Sequence, residues 1–385
     1  MAESRVRVGV RIRPLLSKEK GQNVTFSAYD AQSVSFKAQT YTYDHVFGME
    51  LSQSQLYEQT AEPMLKSFLE GYNCTIMAYG QTGSGKTYSM GTSDITYQDT
   101  ENQGLISRFV ADLFANLNVS KAEGEHLSFA VKASYLEIYG EEVFDLLHSD
   151  SASPQRLPLQ VREDEGGKIF VQGQNEFEVE DAEATLEMLS AGARHRITAC
   201  TAMNAGSSRS HAVFTLQLEQ RIRSRTAGAE GEEDVQTLRS KLTFVDLAGS
   251  ERIKRTGAEG QRLKEGIQIN SGLFNLGQVI NSLADEQKLK NGVKNNHVPY
   301  RNSKLTHLLK DALGGNSQTL FLACVSPAES NESETQSTLQ YAKQARNIQN
   351  KPVQNVDKVQ RELQRLRMAV KAWTCRAVTS MFGNK

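Results

Sequence analysis

The sequence predicts an α/β fold in which a central sheet is covered by helices on both faces. Three observations carry that prediction. Short β-rich runs alternate with helical periodicities over most of the chain. Several of the runs, Cys74–Tyr79, Leu242–Val245 and Leu320–Val325, are short and mostly apolar, as strands buried on both faces are. The segments between them are long enough to cross over a sheet as helices. In chain order, Val6–Ile12 alternates and reads as a strand, and Ser54–Leu69 has helical spacing. Cys74–Tyr79 follows as a buried strand, Ala182–Ala191 as a helix and Leu242–Val245 as a second buried strand. Ile269–Ala284 then reads as a helix and Leu320–Val325 as a third buried strand. Three stretches read as loops: Ser149–Pro158, rich in Ser, Asp and Pro; the Gly-rich, charged Arg223–Asp234, read as a hairpin; and the Lys/Asn-rich Asp285–Asn296. No internal repeat of fixed period is present. Pro352 stops the helix before it. Beyond it Val356, Val359, Leu363, Leu366, Val370 and Trp373 are spaced 3, 4, 3, 4, 3, a heptad stripe of about two and a half repeats. Such a stripe either packs back on the globular body or pairs with a second copy.

Composition removes several classes. The 385 residues are 38% hydrophobic and 23% charged, a globular balance. Lys plus Arg total 44 and Asp plus Glu 45, so the net charge of −1 makes no case for direct nucleic-acid or membrane contact. Any charged partner must be met by a local patch. No apolar run approaches the roughly 18 residues that read as a membrane span. The N-terminus leads straight into a strand pattern, without a secretory or transit signature. Cys74, Cys200, Cys324 and Cys375 are scattered, with no CxxC pair, and read as free thiols of a reducing compartment.

The strongest local signal is Gly80-Gln81-Thr82-Gly83-Ser84-Gly85-Lys86-Thr87, which matches G-x-x-x-x-G-K-[ST] in full. A strand precedes it and a helix can begin at Lys86. The glycines let backbone N–H groups turn inward around phosphate oxygens. The start of a helix adds partial positive charge. Lys86 is placed to reach the β- and γ-phosphates, and the Thr87 hydroxyl to ligate Mg²⁺.

Such a loop needs a metal-orienting acid at the end of another strand, and Leu242-Thr243-Phe244-Val245-Asp246 supplies one. Leu247-Ala248-Gly249-Ser250-Glu251 follows, with a glycine that can bring its N–H to a γ-phosphate. The residue after Asp246 is Leu247 rather than an acid, unlike the helicase box. No [NT]KxD guanine-reading motif is present, so a helicase and a small GTPase are both disfavoured. A third cluster, Asn204-Ala205-Gly206-Ser207-Ser208-Arg209-Ser210-His211, offers hydroxyls for Mg²⁺-bound and attacking water, and an arginine that can pair with a carboxylate.

Together these motifs resemble the kinesin motor domain, carrying GQTGSGKT, NxxSSRSH and DLAGSE in that order. Val298-Pro299-Tyr300-Arg301-Asn302-Ser303-Lys304-Leu305-Thr306 and Leu313-Gly314-Gly315-Asn316-Ser317 add two further signatures. The resemblance spans about residues 4 to 355. The stretches around Tyr79–Gly91 and Leu263–Gly266 look most like the kinesin-4, or chromokinesin-like, group. It implies a P-loop NTPase of the kinesin motor fold, with a mostly parallel or mixed sheet. The implied activity is microtubule-stimulated ATP hydrolysis with Mg²⁺, driving movement along microtubules with a plus-end bias, or regulation of microtubule ends. The implied setting is the cytoplasm and the microtubule cytoskeleton, the spindle included.

The resemblance also implies roles. Arg11, Pro14 and Tyr88 would line the adenine pocket. Ser208 would be the hydroxyl near Mg²⁺, with Ser207 and Asn204 near the γ-phosphate and the lytic water. Asp246 would hold the metal through water, Gly249 would sense the γ-phosphate, and Arg209 and Glu251 would form the salt bridge that closes the site. Residues 287–310 hold six Lys or Arg and no acid. On that pattern Lys288, Lys290, Lys294, Tyr300, Arg301, Lys304 and His307, with Lys254 and Arg255, would face α/β-tubulin. His307 stands where the family commonly has Arg, which suggests weaker track affinity, or track affinity that rises as pH falls toward 6. Asn302 stands where Asp is usual, and Gln268 where Asn is.

The implied division is a motor domain at 1–347, a neck linker at 348–356 and a C-terminal neck helix at 357–385 that begins a coiled coil or homodimer. Ile348 would plug a hydrophobic pocket and Asn355 would latch the docked linker. Pro352 lacks an N–H within this segment, which suggests weaker docking. A non-catalytic tubulin-binding module and a small-molecule phosphotransferase are the competing classes.

Overall fold

The computed structural model describes residues 4–37, 39–92, 100–123, 126–148, 157–202, 208–223, 235–251, 261–289 and 297–357. The strands are β1 (Ser4–Arg5), β2 (Arg7–Ile12), β3 (Phe26–Ala28), β4 (Ser33–Phe36), β5 (Gln39–Thr42), β6 (His45–Phe47), β7 (Cys74–Tyr79) and β8 (His126–Tyr139). They continue as β9 (Glu142–Asp145), β10 (Gln160–Glu163), β11 (Ile169–Gln172), β12 (Phe177–Val179), β13 (His211–Arg223), β14 (Val235–Asp246), β15 (Gln318–Val325) and β16 (Gln349–Asn350). The helices are α1 (Gln53–Thr60), α2 (Glu62–Leu69), α3 (Lys86–Met90), α4 (Leu105–Ala122), α5 (Ala182–Ala202), α6 (Gln261–Leu289), α7 (Lys304–Leu308) and α8 (Glu332–Ala345).

The main sheet runs β12-β8-β13-β14-β7-β15-β2-β6, with β9 on β8. Its β8, β13 and β14 are antiparallel neighbours, whereas β14, β7, β15, β2 and β6 are parallel. The sheet is therefore mixed, and β7 lies in the parallel half between β14 and β15. Residues alternate between its faces. Met77 and Tyr79 join α6 and α8 side chains such as Leu276, Ile280 and Leu339. Ile76 and Ala78 join α2 and α4 side chains such as Phe68 and Phe109 on the other face. Burial on both faces explains why β7 reads as a continuous apolar run.

Where the helices differ from the periodicity, the causes are local. The single helix expected over 54–69 is two, meeting at Ala61, because Pro63 sits in the first turn of α2 and cannot supply an interior N–H. α1 begins at a reciprocal cap, with Ser52 Oγ accepting from the Gln55 amide and Gln55 Oε1 from the Ser52 amide. α6 runs to Leu289, into the stretch 285–296 expected to be loop. β13 and β14 pair down to Arg223 and Val235, as the two arms of the expected hairpin. Cys74 and Cys324 are buried free thiols, and burial pushes Cys74 up to about 12. Among the described residues no helix is long and apolar enough to cross a membrane.

After α8 the chain passes the residues that lead into β15 and β7 and reaches Arg239 of β14. Ile348 is fully buried, and β16 pairs antiparallel with β1, a strand of two residues. The following amides reach the body on alternate residues. Lys351 N donates to Gly315 O at 2.9 Å, Val353 N to Asn316 Oδ1 at 2.6 Å and Asn355 N to Gly71 O at 2.9 Å. Pro352 falls between these donors, where an extended chain turns its amide away from the body. The proline therefore forfeits none of these bonds, which Lys351, Val353 and Asn355 make on either side of it.

Two asparagines hold the segment. Asn355 O accepts from Arg239 N at 3.0 Å, and its side-chain amide donates to Gly71 O and Asn73 Oδ1. Asn350, not singled out by the sequence, is buried. Its Nδ2 donates to Ala312 O, Ser317 O and Thr319 Oγ1, and its Oδ1 accepts from Gly314 N at 2.7 Å. Truncation leaves several buried groups without partners, each costing about 1–3 kcal/mol. Asn350→Ala is expected to release residues 349–356, read as fast hydrogen exchange at the Lys351, Val353 and Asn355 amides that are slow in the parent. The heptad positions beyond Asp357 lie outside the described residues.

Candidate active site

The Gly-rich loop leaves the C-terminal end of β7, beside the end of β14, where α/β sheets place their ligands. Leu247 N extends the ladder to Ala78 O at 3.2 Å, and Ser250 N donates to Gly80 O at 3.1 Å. The stretch after Asp246 is thereby laid against the loop. Gly80, Gly83 and Gly85 all have positive φ. A Cβ at Gly80 would lie 2.2 Å from the Cys324 carbonyl, so only glycine fits there.

Lys86 is buried, and its Nζ donates to Gly80 O at 2.8 Å and Gln81 O at 2.9 Å. Burial pushes its ammonium pKa down, while the Asp246 carboxylate acts against that shift. Thr87 Oγ1 donates to Asp246 Oδ2 at 2.9 Å, and Thr92 Oγ1 to the same oxygen at 3.0 Å. The other oxygen, Asp246 Oδ1, is buried without a hydrogen-bond partner, as are Ser84 Oγ and Gln81 Oε1. Buried polar atoms are normally satisfied. An unsatisfied carboxylate oxygen beside a threonine hydroxyl fits a water-bridged Mg²⁺ ion. Among the described residues no cluster of three His, Cys, Asp or Glu could hold a metal unaided.

A cleft of about 470 Å³ opens over the loop. Pro14, Leu16 and Tyr88 give it apolar wall, and Lys86, Thr87 and Ser208 polar wall. Tyr88 is 47% exposed, leaving a ring face for a planar base. The resemblance placed Arg11 here, and the structure corrects that. Arg11 is buried away from the cleft, its Nη1 donating to Gln53 Oε1 at 2.6 Å and Ser89 Oγ at 2.7 Å. It supports Tyr88 from beneath, its guanidinium carbon 5.3 Å from the ring centroid. Arg13 lines the cleft instead. Its Nε donates to Gly83 O at 2.6 Å, and its guanidinium holds buried Glu19 below the usual carboxylate range.

The contacts behind Asp246 were not visible in the motifs. Arg196, on α5, is almost fully buried, with Nη1 3.2 Å from Asp246 Oδ2 and Nε 4.0 Å from Glu137 Oε1. It also donates to Ser210 Oγ and Ser210 O. His211 is buried as well, and burial, with Arg196 and Lys86 nearby, drives its pKa down to about 3. The ring is therefore neutral. Its Nδ1 accepts from Ala248 N at 2.9 Å, which leaves the proton on Nε2. This bond ties the Ser208–His211 stretch to the one after Asp246.

Gly249 N donates to Ser208 O at 2.8 Å, so a γ-phosphate would have to take this amide from Ser208. Glu251 also differs from expectation. One carboxylate oxygen accepts from Thr82 N at 2.8 Å and the other from the Thr82 hydroxyl. The carboxylate thus clasps the Gly-rich loop in this structure, rather than forming the implied bridge to Arg209. Asn204, Ser207, Lys254, Arg255, Lys290 and Lys294 lie outside the described residues, as does the Lys288 side chain.

Of the basic group, Arg301 and Lys304 stand at α7 and the turn before it. Tyr300 points inward, its hydroxyl donating to Leu313 O. His307 is only 14% exposed, and burial pushes its pKa down. It sits 3.6 Å from Glu163 Oε2, too long for a hydrogen bond. The expectation that His307 tunes an exposed contact is therefore corrected. A histidine with a lowered pKa takes up less charge on going from pH 7.4 to 6.2 than an exposed one does. If the basic group meets microtubules as the resemblance implies, wild type and His307→Arg are expected to show the same fold-change in that affinity between those pH values, measured by co-sedimentation.

A phosphate-binding loop with a buried lysine, an acid on the neighbouring strand and a cleft of the right size define a P-loop nucleotide-binding protein. Within that class, the chain belongs to the kinesin motor domain family, which it matches over residues 11–348. It is 48% identical over 370 residues to the chromosome-associated kinesin KIF4 of Xenopus laevis, and 46% identical over 388 residues to the kinesin-like protein KIN-4C of Arabidopsis thaliana. Each alignment covers 95% of this chain but only 29% of the relative. The kinesin-4 resemblance read from the motifs agrees with these two. Among solved structures, a KIF14 dimer in a two-heads-bound state, with AMP-PNP and in complex with a microtubule, superposes with a TM-score of 0.81. It is 40% identical, covering 94% of this chain and all of that one. A fast kinesin superposes with a TM-score of 0.79 at 35% identity, covering 92% of this chain and 94% of that one.

Proposed function

We propose that this chain is a microtubule-stimulated ATP hydrolase that converts turnover into force or movement on the polymer. The observation that carries the reading is the joint between the stretch after Asp246 and the Gly-rich loop, made by Glu251 on Thr82 and Ser250 on Gly80, with Gly249 held at the same time by Ser208 O. A simple nucleotide store needs the loop, Lys86 and Thr87. It has no need of a carboxylate clasp that a third phosphate would disturb.

In this reading Pro14, Leu16 and Tyr88 hold the base, and Lys86 takes the β- and γ-phosphates. Thr87, Ser208 and Asp246 would hold Mg²⁺, which would offset charge on the phosphoryl group. Gly249 gives up Ser208 O for the γ-phosphate. Glu251 then leaves Thr82 for Arg209, closing the site, with Asn204 and Ser207 near the attacking water. Residues 348–356 act as the lever, latched by Asn350 and Asn355. Because that lever leaves on the C-terminal side of the body, stepping is proposed to be plus-end biased. The setting proposed is the microtubule cytoskeleton.

The test is ATP turnover with and without polymerised tubulin. Wild type is expected to be stimulated at least about tenfold, and Glu251→Ala to lose that stimulation while still binding nucleotide. Slow turnover indifferent to tubulin in the wild type would overturn the reading.

A further inference from the structure

Glu163 ends β10, on a hairpin that packs against α7, and it faces three basic side chains. Arg301 Nη2 donates to Glu163 Oε2 at 2.6 Å, and Lys310 Nζ to Oε1 at 2.6 Å. His307 stands beside them, with its pKa lowered by burial. One carboxylate thus gathers two cations that belong to the basic group, and these cations hold its pKa down to about 2. Arg301 remains 75% exposed, so the cluster opens outward.

We infer that Glu163 is an internal competitor for the acidic polymer: it occupies the carboxylate position between Arg301 and Lys310, and so holds track affinity below what the cations alone would give. The inference rests on the proposed microtubule reading. Its physical basis is that both cations already converge on a space the width of one carboxylate, the geometry a glutamate or aspartate of the partner would need. Exposed ion pairs are weak, so exchanging one carboxylate for another is nearly neutral. The resident charge also repels an acidic surface. Counting Arg301, Lys310 and Glu163 with His307 neutral, the cluster carries a local charge of about +1, which becomes about +2 without the carboxylate. On the same hairpin, Asp164 is committed to its own turn, accepting from Lys168 N at 2.8 Å. On the other side Glu141 accepts from the Lys304 amide.

The test is microtubule co-sedimentation of the full chain in AMP-PNP at three salt concentrations, comparing wild type, Glu163→Gln, Arg301→Gln and the double variant. Glu163→Gln is expected to bind roughly three- to tenfold more tightly, with a steeper loss as salt rises. Arg301→Gln is expected to lose more affinity in the Glu163→Gln background than alone. Unchanged thermal midpoints show that the fold is intact. Affinity equal to or below wild type in Glu163→Gln would overturn the inference, because Glu163 would then be orienting the cations for the partner. Failure of the wild type itself to sediment would instead overturn the microtubule reading on which the inference rests.

Discussion

Gly249→Ala is expected to fold like the wild type and to lose at least ~100-fold of the proposed microtubule-stimulated turnover. A Cβ at this position would lie 2.3 Å from Glu251 Oε2 and 2.4 Å from Thr82 Oγ1. Both contacts are with the far ends of side chains, which can swing aside, so the cost to the fold is small. What cannot survive is the Glu251–Thr82 clasp, or an approach of the Gly249 amide to a γ-phosphate. Nucleotide affinity should change little, since Lys86 and Thr87 are untouched. The measurement pairs steady-state turnover against polymerised tubulin with nucleotide binding and a thermal midpoint. Turnover within threefold of wild type would mean that the stretch after Asp246 does not report on the phosphates. A collapsed midpoint would mean that the glycine is there for packing.

Arg196→Met is expected to give the largest stability loss of any single substitution near the site. The guanidinium lies against Asp246 and Glu137 in the interior, and its removal takes a charge away from two buried acids. Breaking a buried pair from one side costs about 3–5 kcal/mol. For a domain of this size that is a fall of roughly 4–7 °C in thermal midpoint. Arg196→Lys should recover part of it, as a point charge without the planar fork. Mg²⁺-dependent nucleotide affinity should fall as well, because Asp246 would lose one of the three donors that hold its Oδ2. Calorimetry with and without Mg²⁺ separates the two effects. A midpoint within 2 °C of the parent would show that Arg196 contributes no net stability.

What was legible in the chain was whatever is contiguous in it. The strand, glycine loop and lysine at 74–86 name their own geometry, because a loop that wraps phosphates needs small residues at successive positions. The apolar runs named the central strands for the same reason. Partners far apart in sequence left no such trace. Arg196 lies 50 residues from Asp246 and Thr82 lies 169 from Glu251. An arginine in a helical stretch reads as a surface residue until α5 is laid against the sheet.

The C-terminal segment shows the same boundary from the other side. Composition singled out Pro352 as a defect in docking, yet alternation puts its missing amide on the side facing away from the body. Asn350 looked ordinary and proves to be the most densely bonded side chain of the segment. His307 read as an exposed switch and is enclosed beside Glu163. Sequence alone therefore determined the class of protein, the phosphate loop and the candidate metal-side acid, because local backbone chemistry dictates those residues. Only the tertiary structure decided which carboxylate meets which cation and which asparagine holds the lever. It also decided which basic side chains already have a partner. Burial and long-range pairing depend on how distant elements pack, and no short window of sequence records that.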